Sequence, residues 1–595
     1  MGPSLPQSDR DARERSDGLA FKRELYHYDY AYPPGIAVAR SLPPGEEFTA
    51  CFAAHIVAIQ MKTFENGLAS DGVREDSEAN RRLSFLATAA RALLSPADLG
   101  AVMGSQLSTN ARMMRDDRPA TVIGYNELYA TIERPSIASQ YQDDFAFAWQ
   151  RVAGANPMVL RALSSLPEHY RFTATQFATA ARHHYGTSYD GPSFDQALAG
   201  GRLFVADYCL LADVPNGSWL GVPQYLFAPI ALFCWFPPLG RHPARLMPIA
   251  IQERQAGDSP VTDPSKPAEW ILAKTAVQVA DLAWHEARAH LGLTHLVMEA
   301  VTLATERQLS VRHPLFALLT PHCRFTLAIN DFAKHHLIVP GGQVEQYISP
   351  TIDGFLGVVA KTLKGFSWKE LALEADLEAR GVRDTLRLPL YPYRDDALGI
   401  WDAIERFVGE YVALYYRDAD AVRGDTELAA WARELAAEDG ARLPSITPPE
   451  TREELVDLLT FFIFTASAQH SALNYTQWPF MGYVPSMPAA AYRDLPPDAR
   501  SRRVVDFDRE YLEMLPTYSQ AAGQINLLYL LSGIRYNHLG DYPVCHFHDL
   551  RVVPVLRRFK ERLAKVETDS QGRDRSRPIS YPYLFPSNVA QSIHI

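Results

Sequence analysis

Two histidines, His290 and His295, stand five positions apart in the largely apolar stretch WHEARAHLGLTHLVMEAVTLATERQLSVRHPLFALLTPHCRF, residues 284–325. On an ideal α-helix that spacing turns the side chains about 140° apart, so both imidazoles reach one metal ion only if a wider π-type turn intervenes. Taken alone, the pair also reads as two satisfied core histidines. A second pair, His470 and Asn474 in SAQHSALNYTQWPF, lies four apart and about 40° apart on one helix face. The third piece is the chain end, PYLFPSNVAQSIHI, which closes on Ile595 as an apolar, well-punctuated segment where tails usually fray. A buried terminus carries an α-carboxylate that must be paired or metal-bound, because a bare buried charge is too costly. An ordered but inert terminus is the alternative. Three neutral imidazoles, one amide oxygen and one carboxylate suit iron and leave a sixth position for water or hydroxide.

Helices must position these groups. Apolar residues recur at helical spacing over Phe48–Asn66, Ser84–Gly104, Lys274–Arg307, Asp396–Tyr416, Thr451–Ala468 and Asp508–Ser532. Strand-like runs are few: Leu203–Val214 and Arg245–Gln252, with the proline-rich apolar segment between them, predict one small sheet. Polar, turn-rich stretches at Ala256–Lys266, Asp418–Pro449 and Glu567–Arg577 read as surface loops. The candidate ligands are drawn from both sides of the last two, which favours one large domain over several.

With 595 residues, 47% of them hydrophobic, the chain can bury a large core, and its net charge of −11 with mixed signs offers no footprint for nucleic acid. The five cysteines are scattered without a CxxC pair, so neither a disulfide framework nor a zinc ribbon is implied, and a reducing compartment fits. The N-terminus, MGPSLPQSDRDARERSDG, lacks the apolar run of a signal peptide and reads as a disordered tail over residues 1–20. The most apolar stretch, Tyr225–Leu239, is interrupted by prolines and too short to span a bilayer. A cytoplasmic location is expected.

Set in order, the pieces resemble the lipoxygenase family. Its pattern of two histidines five apart, then LSVxHPxxxLLxPH, a distant HxxxN and a terminal isoleucine is matched by His290, His295, LSVRHPLFALLTPH, His470, Asn474 and Ile595. DDFAFAWQRVAGANPMVLR, LFVADYCLL, YLFAPIALF, LMPIAIQ and Trp270 with ILAK extend the likeness over about Asp143 to Ile595. The resemblance implies a mainly α fold: a single large helical catalytic domain, residues 21–595, with a small sheet and two long central helices carrying the iron ligands. Those ligands would be His290, His295, His470, Asn474 and the Ile595 carboxylate. His313 and His322, in the same signature, would be structural.

By the same resemblance, a ferric hydroxide held by these ligands takes a bis-allylic hydrogen from a polyunsaturated fatty acid such as linoleate or arachidonate. Oxygen then adds on the opposite face to give a hydroperoxide. Ala333 stands where S-forming relatives carry alanine and R-forming ones glycine, which predicts an S product. Leu337 matches a leucine that clamps the substrate, Val344 an aliphatic wall, and Tyr347 and Ile348 the pocket floor. Two bulky side chains at the floor favour tail-first binding and the 13-hydroperoxide of linoleate, with 9-oxygenation the alternative. No basic residue at Phe332 or Met487 meets the fatty-acid carboxylate. Glu286 and Gln477 fall where a polar pair orients Asn474.

The family's N-terminal β-sandwich is not evident; residues of about 40–140 read instead as helices covering the pocket mouth, as in bacterial members. The expected partners are the fatty acid and O2, with transient membrane-surface contact, a monomeric state and no nucleic acid. Manganese is the alternative metal. A non-catalytic helical lipid-binding protein would need only the apolar pocket. A zinc hydrolase using His290, His295 and Glu286 lacks HExxH spacing.

Overall fold

The apolar run ending near Arg307 becomes the axis of the molecule, one unbroken helix composed of Pro267–Trp284, a π-helical stretch His285–Leu296, and Val297–Gln308. Almost every side chain along it is buried, as befits a helix hydrophobic all round. The computed structural model describes residues 3–71, 75–94, 99–100, 103–104, 117–495, 504, 506–543 and 545–595.

A second core helix has the same construction: Arg452–Phe464, a π-type turn Thr465–Gln469, then His470–Asn474. Thr451 starts it by accepting the Glu454 N–H, satisfying a donor that the first turn leaves open. Pro392–Val412 and Ile352–Lys364 pack on these two, Val552–Asp574 packs on Pro392–Val412, and Tyr518–Gly533 packs on the following helix Gln477–Met481.

The sheet has five antiparallel strands in the order Leu160–Ala162, Leu203–Asp207, Ile230–Phe236, Arg245–Gln252 and Val261–Thr262. Along Ile230–Phe236, Ala231, Phe233 and Trp235 face the main core while Ile230, Leu232, Cys234 and Phe236 face a smaller one, so the strand is buried on both sides. Its register with Arg245–Gln252 slips between Leu232 and Phe233, opposite Pro248, which has no N–H for the ladder.

Several sequence expectations are corrected. The first expected strand stops at Asp207, where its carboxylate accepts the Cys209 N–H and the chain turns into Cys209–Leu211. Asp508–Ser532 is two helices, Phe507–Met514 and Tyr518–Gly533, parted by Pro516, with Thr517 capping the second. The polar stretch 418–449 holds helices Ala419–Arg423 and Thr426–Ala436, the latter burying Trp431. Helix Val552–Asp574 runs through most of the expected loop at 567–577, because Arg573 and Arg577 pair with the buried Asp396.

The expected N-terminal tail is helical over Ala12–Leu25, anchored by Arg15, which is 4% exposed and pairs with Asp9 and Glu427. Helices Ala50–Asp71 and Glu75–Leu94 occupy the covering region, and the rest of the run to Gly104 lies largely outside the described residues. Among the described residues, no helix is long and apolar enough to cross a membrane.

Candidate metal centre

The π-helical stretch resolves the angular problem of two histidines five apart. A wider turn brings both rings to one side: His290 Nε2 lies 3.3 Å from His295 Nε2, with the ring planes at 86°. Thr294 donates its hydroxyl to the His290 carbonyl inside this turn.

The partners of the outward nitrogens fix which atoms face inward. His295 Nδ1–H donates to Asn330 Oδ1 at 2.8 Å, and Asn330 Nδ2 donates to Glu299 Oε2 at 2.7 Å and to the His295 carbonyl at 3.1 Å. Glu299 also accepts the Ala39 N–H at 2.7 Å. On the other side, His290 Nδ1–H donates to Glu286 Oε2 at 3.1 Å, and the other Glu286 oxygen accepts from His285 at 3.2 Å. Both Nε2 atoms are therefore bare acceptors facing each other at 3.3 Å. Two lone pairs at that separation repel, and a cation between them removes the conflict.

His470 completes the group. Its ring centroid lies 5.4 Å from His290 and 5.0 Å from His295, and among the described residues neither of its buried nitrogens has a hydrogen-bond partner. Ligand atoms of the three histidines lie within 4.8 Å of one another. Burial is the largest influence on all three: it pushes His290 and His470 down from the usual imidazole range and His295 to about 3, so the rings are neutral. Burial also acts to raise Glu286, but the neighbouring His285 and His290 hold it below the usual carboxylate range. Glu299, buried among weaker donors, is pushed up to about 7.

Asn474, one turn beyond His470, is aimed by two contacts. Its Nδ2 donates to the Leu531 carbonyl at 2.8 Å, and its Oδ1 accepts from Gln477 Nε2 at 3.4 Å. Gln477 Nε2 also approaches His290 Nδ1 at 3.1 Å, a donor-to-donor contact once that nitrogen's proton is given to Glu286. Ile595 is 1% exposed and lines the same cavity as His290 and His295. The strap leading to it is tied at Thr326 Oγ1 to the Ile593 carbonyl, His322 Nδ1 to the Gln591 carbonyl, and the Ala590 N–H to Ser471 Oγ. His322 is thereby structural. His313 is too, pairing with Asp425 at 2.8 Å.

An apolar cavity opens against this centre, walled by His290, His295, Ile595, Ala333, Leu337, Val344, Tyr347 and Ile348. Ala333 begins a π-type turn, Ala333–Leu337, that carries Leu337 to the same wall. His470, Asn474 and Gln477 stand behind the lining. Sequence reasoning missed Asn330, Glu299 and His285 beside the histidines, and the opposite wall, Leu527, Leu528 and Leu531, from helix Tyr518–Gly533. An asparagine inside the apolar run RFTLAINDF was the available signal for the first.

Paired helices with π turns hold a buried imidazole triad that could bind a metal ion, with an apolar cavity beside it, the arrangement of an oxidoreductase that acts on an apolar substrate. A family model for lipoxygenases matches residues 125–581, and the chain belongs to that family. It is 33% identical to a linoleate 9/13-lipoxygenase of Pseudomonas aeruginosa, over 100% of this chain and 93% of that protein. It is 35% identical to the human polyunsaturated fatty acid lipoxygenase ALOX15B, over 76% of this chain and 66% of the human one. The crystal structure of coral 8R-lipoxygenase superposes with a TM-score of 0.83 at 25% identity, covering 100% of this chain and 83% of that one. A lipoxygenase solved anaerobically with arachidonate gives 0.83 at 26% identity, covering 100% and 84%. The protein is a fatty-acid dioxygenase, an oxidoreductase acting with O2.

Proposed function

We propose that this lipoxygenase holds one non-haem iron through His290, His295, His470, Asn474 and the Ile595 carboxylate, and converts linoleate and arachidonate to S-hydroperoxides, 13S on linoleate. The facing Nε2 atoms of His290 and His295 carry the metal assignment, since a cation between them removes the repulsion of their lone pairs. Iron bound there supplies the one-electron oxidant and the base that remove the bis-allylic hydrogen.

The chain's own residues do the rest. Glu286 and Asn330 hold the outward protons of His290 and His295 and keep both rings neutral and oriented. Leu337, Val344 and the leucines of helix Tyr518–Gly533 exclude water and hold the pentadiene against the histidines. The Ala333 methyl blocks one face of the radical to oxygen, which supports the S configuration.

Among the described residues, no lysine or arginine lines the cavity. A fatty-acid carboxylate pushed to its floor would be buried without a counter-charge. That supports binding methyl-end first, with the tail against Tyr347 and Ile348. The helices of the covering region support a role as a lid: Ala50–Asp71 packs along Tyr518–Gly533, a wall of the cavity.

The test is chiral-phase analysis of linoleate products alongside metal analysis of the same sample. Predominant 13S hydroperoxide in proportion to iron is expected; a predominantly R or 9-oxygenated product, or activity tracking manganese, would overturn the corresponding part.

A further inference from the structure

A second set of metal-binding side chains lies on the sheet side of the molecule. Asp144 opens helix Asp144–Ala153, and His183 and His184 close helix Ala174–Tyr185. Asp144 Oδ2 lies 3.9 Å from His183 Nε2 and 3.8 Å from His184 Nδ1. The ligand atoms of all three residues fall within 4.8 Å of one another. Lys274, which also contacts Asp144, is sixteen positions before His290 on one helix, about 24 Å at the helical rise, so this cluster is separate from the active site.

Its hydrogen bonds leave a conflict that a cation resolves. His184 Nε2 lies 2.7 Å from the Pro248 carbonyl, which can only accept, so that nitrogen carries the proton. The other nitrogen, Nδ1, then presents a lone pair to Asp144 Oδ2, another acceptor, at a distance too long for a hydrogen bond. The His184 side chain is only 3% exposed. Asp144 Oδ1 is engaged by Lys274 Nζ at 2.7 Å and Trp270 Nε1 at 2.8 Å, while no hydrogen bond among the described residues reaches Oδ2. Burial disfavours a second proton on His184, the other way of relieving the conflict.

We propose that Asp144, His183 and His184 form a divalent-cation site of the zinc class, with water in the remaining position. Two imidazoles and one carboxylate are a zinc-type donor set. Lys274 shares the carboxylate and weakens its charge, which disfavours calcium and magnesium because they depend on oxygen ligands. A tetrahedral zinc site has ligand edges of ~3.4 Å, so the His183 ring, 46% exposed, swings inward to close it. The bound ion ties the end of one helix to the start of another and so clamps the sheet to the helical core.

The test uses the iron-loaded enzyme, with zinc uptake measured by competition against a chromophoric chelator near neutral pH. Wild type is expected to bind one zinc per chain more than His183→Gln, whose affinity falls at least ~10-fold because a ligand is lost. Zinc should raise Tm in the wild type alone, and hydroperoxide production should be unchanged in the variant. Comparing the two proteins cancels any zinc taken up by the buried histidines. No additional zinc in the wild type, or equal uptake by both proteins, would overturn the site and leave His184 as a protonated partner of Asp144.

Discussion

Asn330 stands behind His295, its Oδ1 2.8 Å from the ring's Nδ1 while its Nδ2 is held by Glu299. Three positions further, Ala333 reaches the cavity wall. One short helix thus both aims a histidine and shapes the space before it.

Asn330→Ala is expected to free the His295 ring and lower metal retention or kcat by about 10–100-fold. Iron per chain after dialysis against a chelator, read with kcat, checks it. Unchanged retention and rate would show that the helix backbone alone aims the ring.

Ala333→Gly removes the methyl on the cavity wall. The R share of the product should rise, at a stability cost of up to ~1 kcal/mol for glycine in a helix. Chiral-phase chromatography of the linoleate product reads this, and an unaltered S:R ratio would remove Ala333 from the stereochemical argument.

Extending the chain past Ile595 displaces a buried carboxylate and the strap behind it. Activity and bound iron should fall together by at least ~100-fold. A fully active C-terminally tagged protein would exclude Ile595 from the ligand set.

Gly523 underlies Tyr347, and a Cβ there would overlap the tyrosine ring. Gly523→Ala should displace that ring and change the cavity floor, at an overpacking cost of ~1–3 kcal/mol. The positional isomers formed from arachidonate should redistribute; an unchanged pattern with normal KM would mean that Tyr347 does not meet the substrate.

Asp425, fully buried, pairs with His313 and caps helix Thr426–Ala436. Burial acts to raise its pKa, but the neighbouring His313 and its hydrogen bond, the Leu428 N–H and Tyr416 outweigh this and hold it below 3.8. Because the folded value is the lower one, its stabilisation is present above pH 3.8 and lost as pH falls through the folded pKa. Asp425→Asn should cost ~1.5–3 kcal/mol near neutrality, the range for a hydrogen bond to a charged group, and flatten the acid limb of the stability curve. Urea unfolding across pH measures both, and parallel curves for the two proteins would contradict it.

The site was legible in the sequence where chemistry leaves a local spacing. Joint ligation by His290 and His295 required a π turn, which the structure has, and the apolar final segment pointed to a buried Ile595. What could not be read is long-range. Asn330 and Glu299 meet across 31 positions, and Glu299 meets Ala39 across 260, with nothing periodic to betray the contact. The N-terminal helix is polar by composition and ordered by a few anchors, above all the buried Arg15, so its sequence resembles a tail. His285 was passed over because its role is to bond Glu286, not to face the cavity.

The π-helical stretch His285–Leu296 also works as a phase shifter. Pro267–Trp284 and Val297–Gln308 continue one axis, but the wider turns between them advance each residue by less than the α-helical 100°. The face that seats Glu299 on Asn330 and sets Thr305 beside Trp431 is thus placed independently of the face that packs Trp270 and Lys274 on Asp144. Deleting one residue inside the stretch would rotate everything beyond it by roughly 100°. The histidines and the rest of the core therefore depend on a residue count, and hydrophobicity alone cannot restore it.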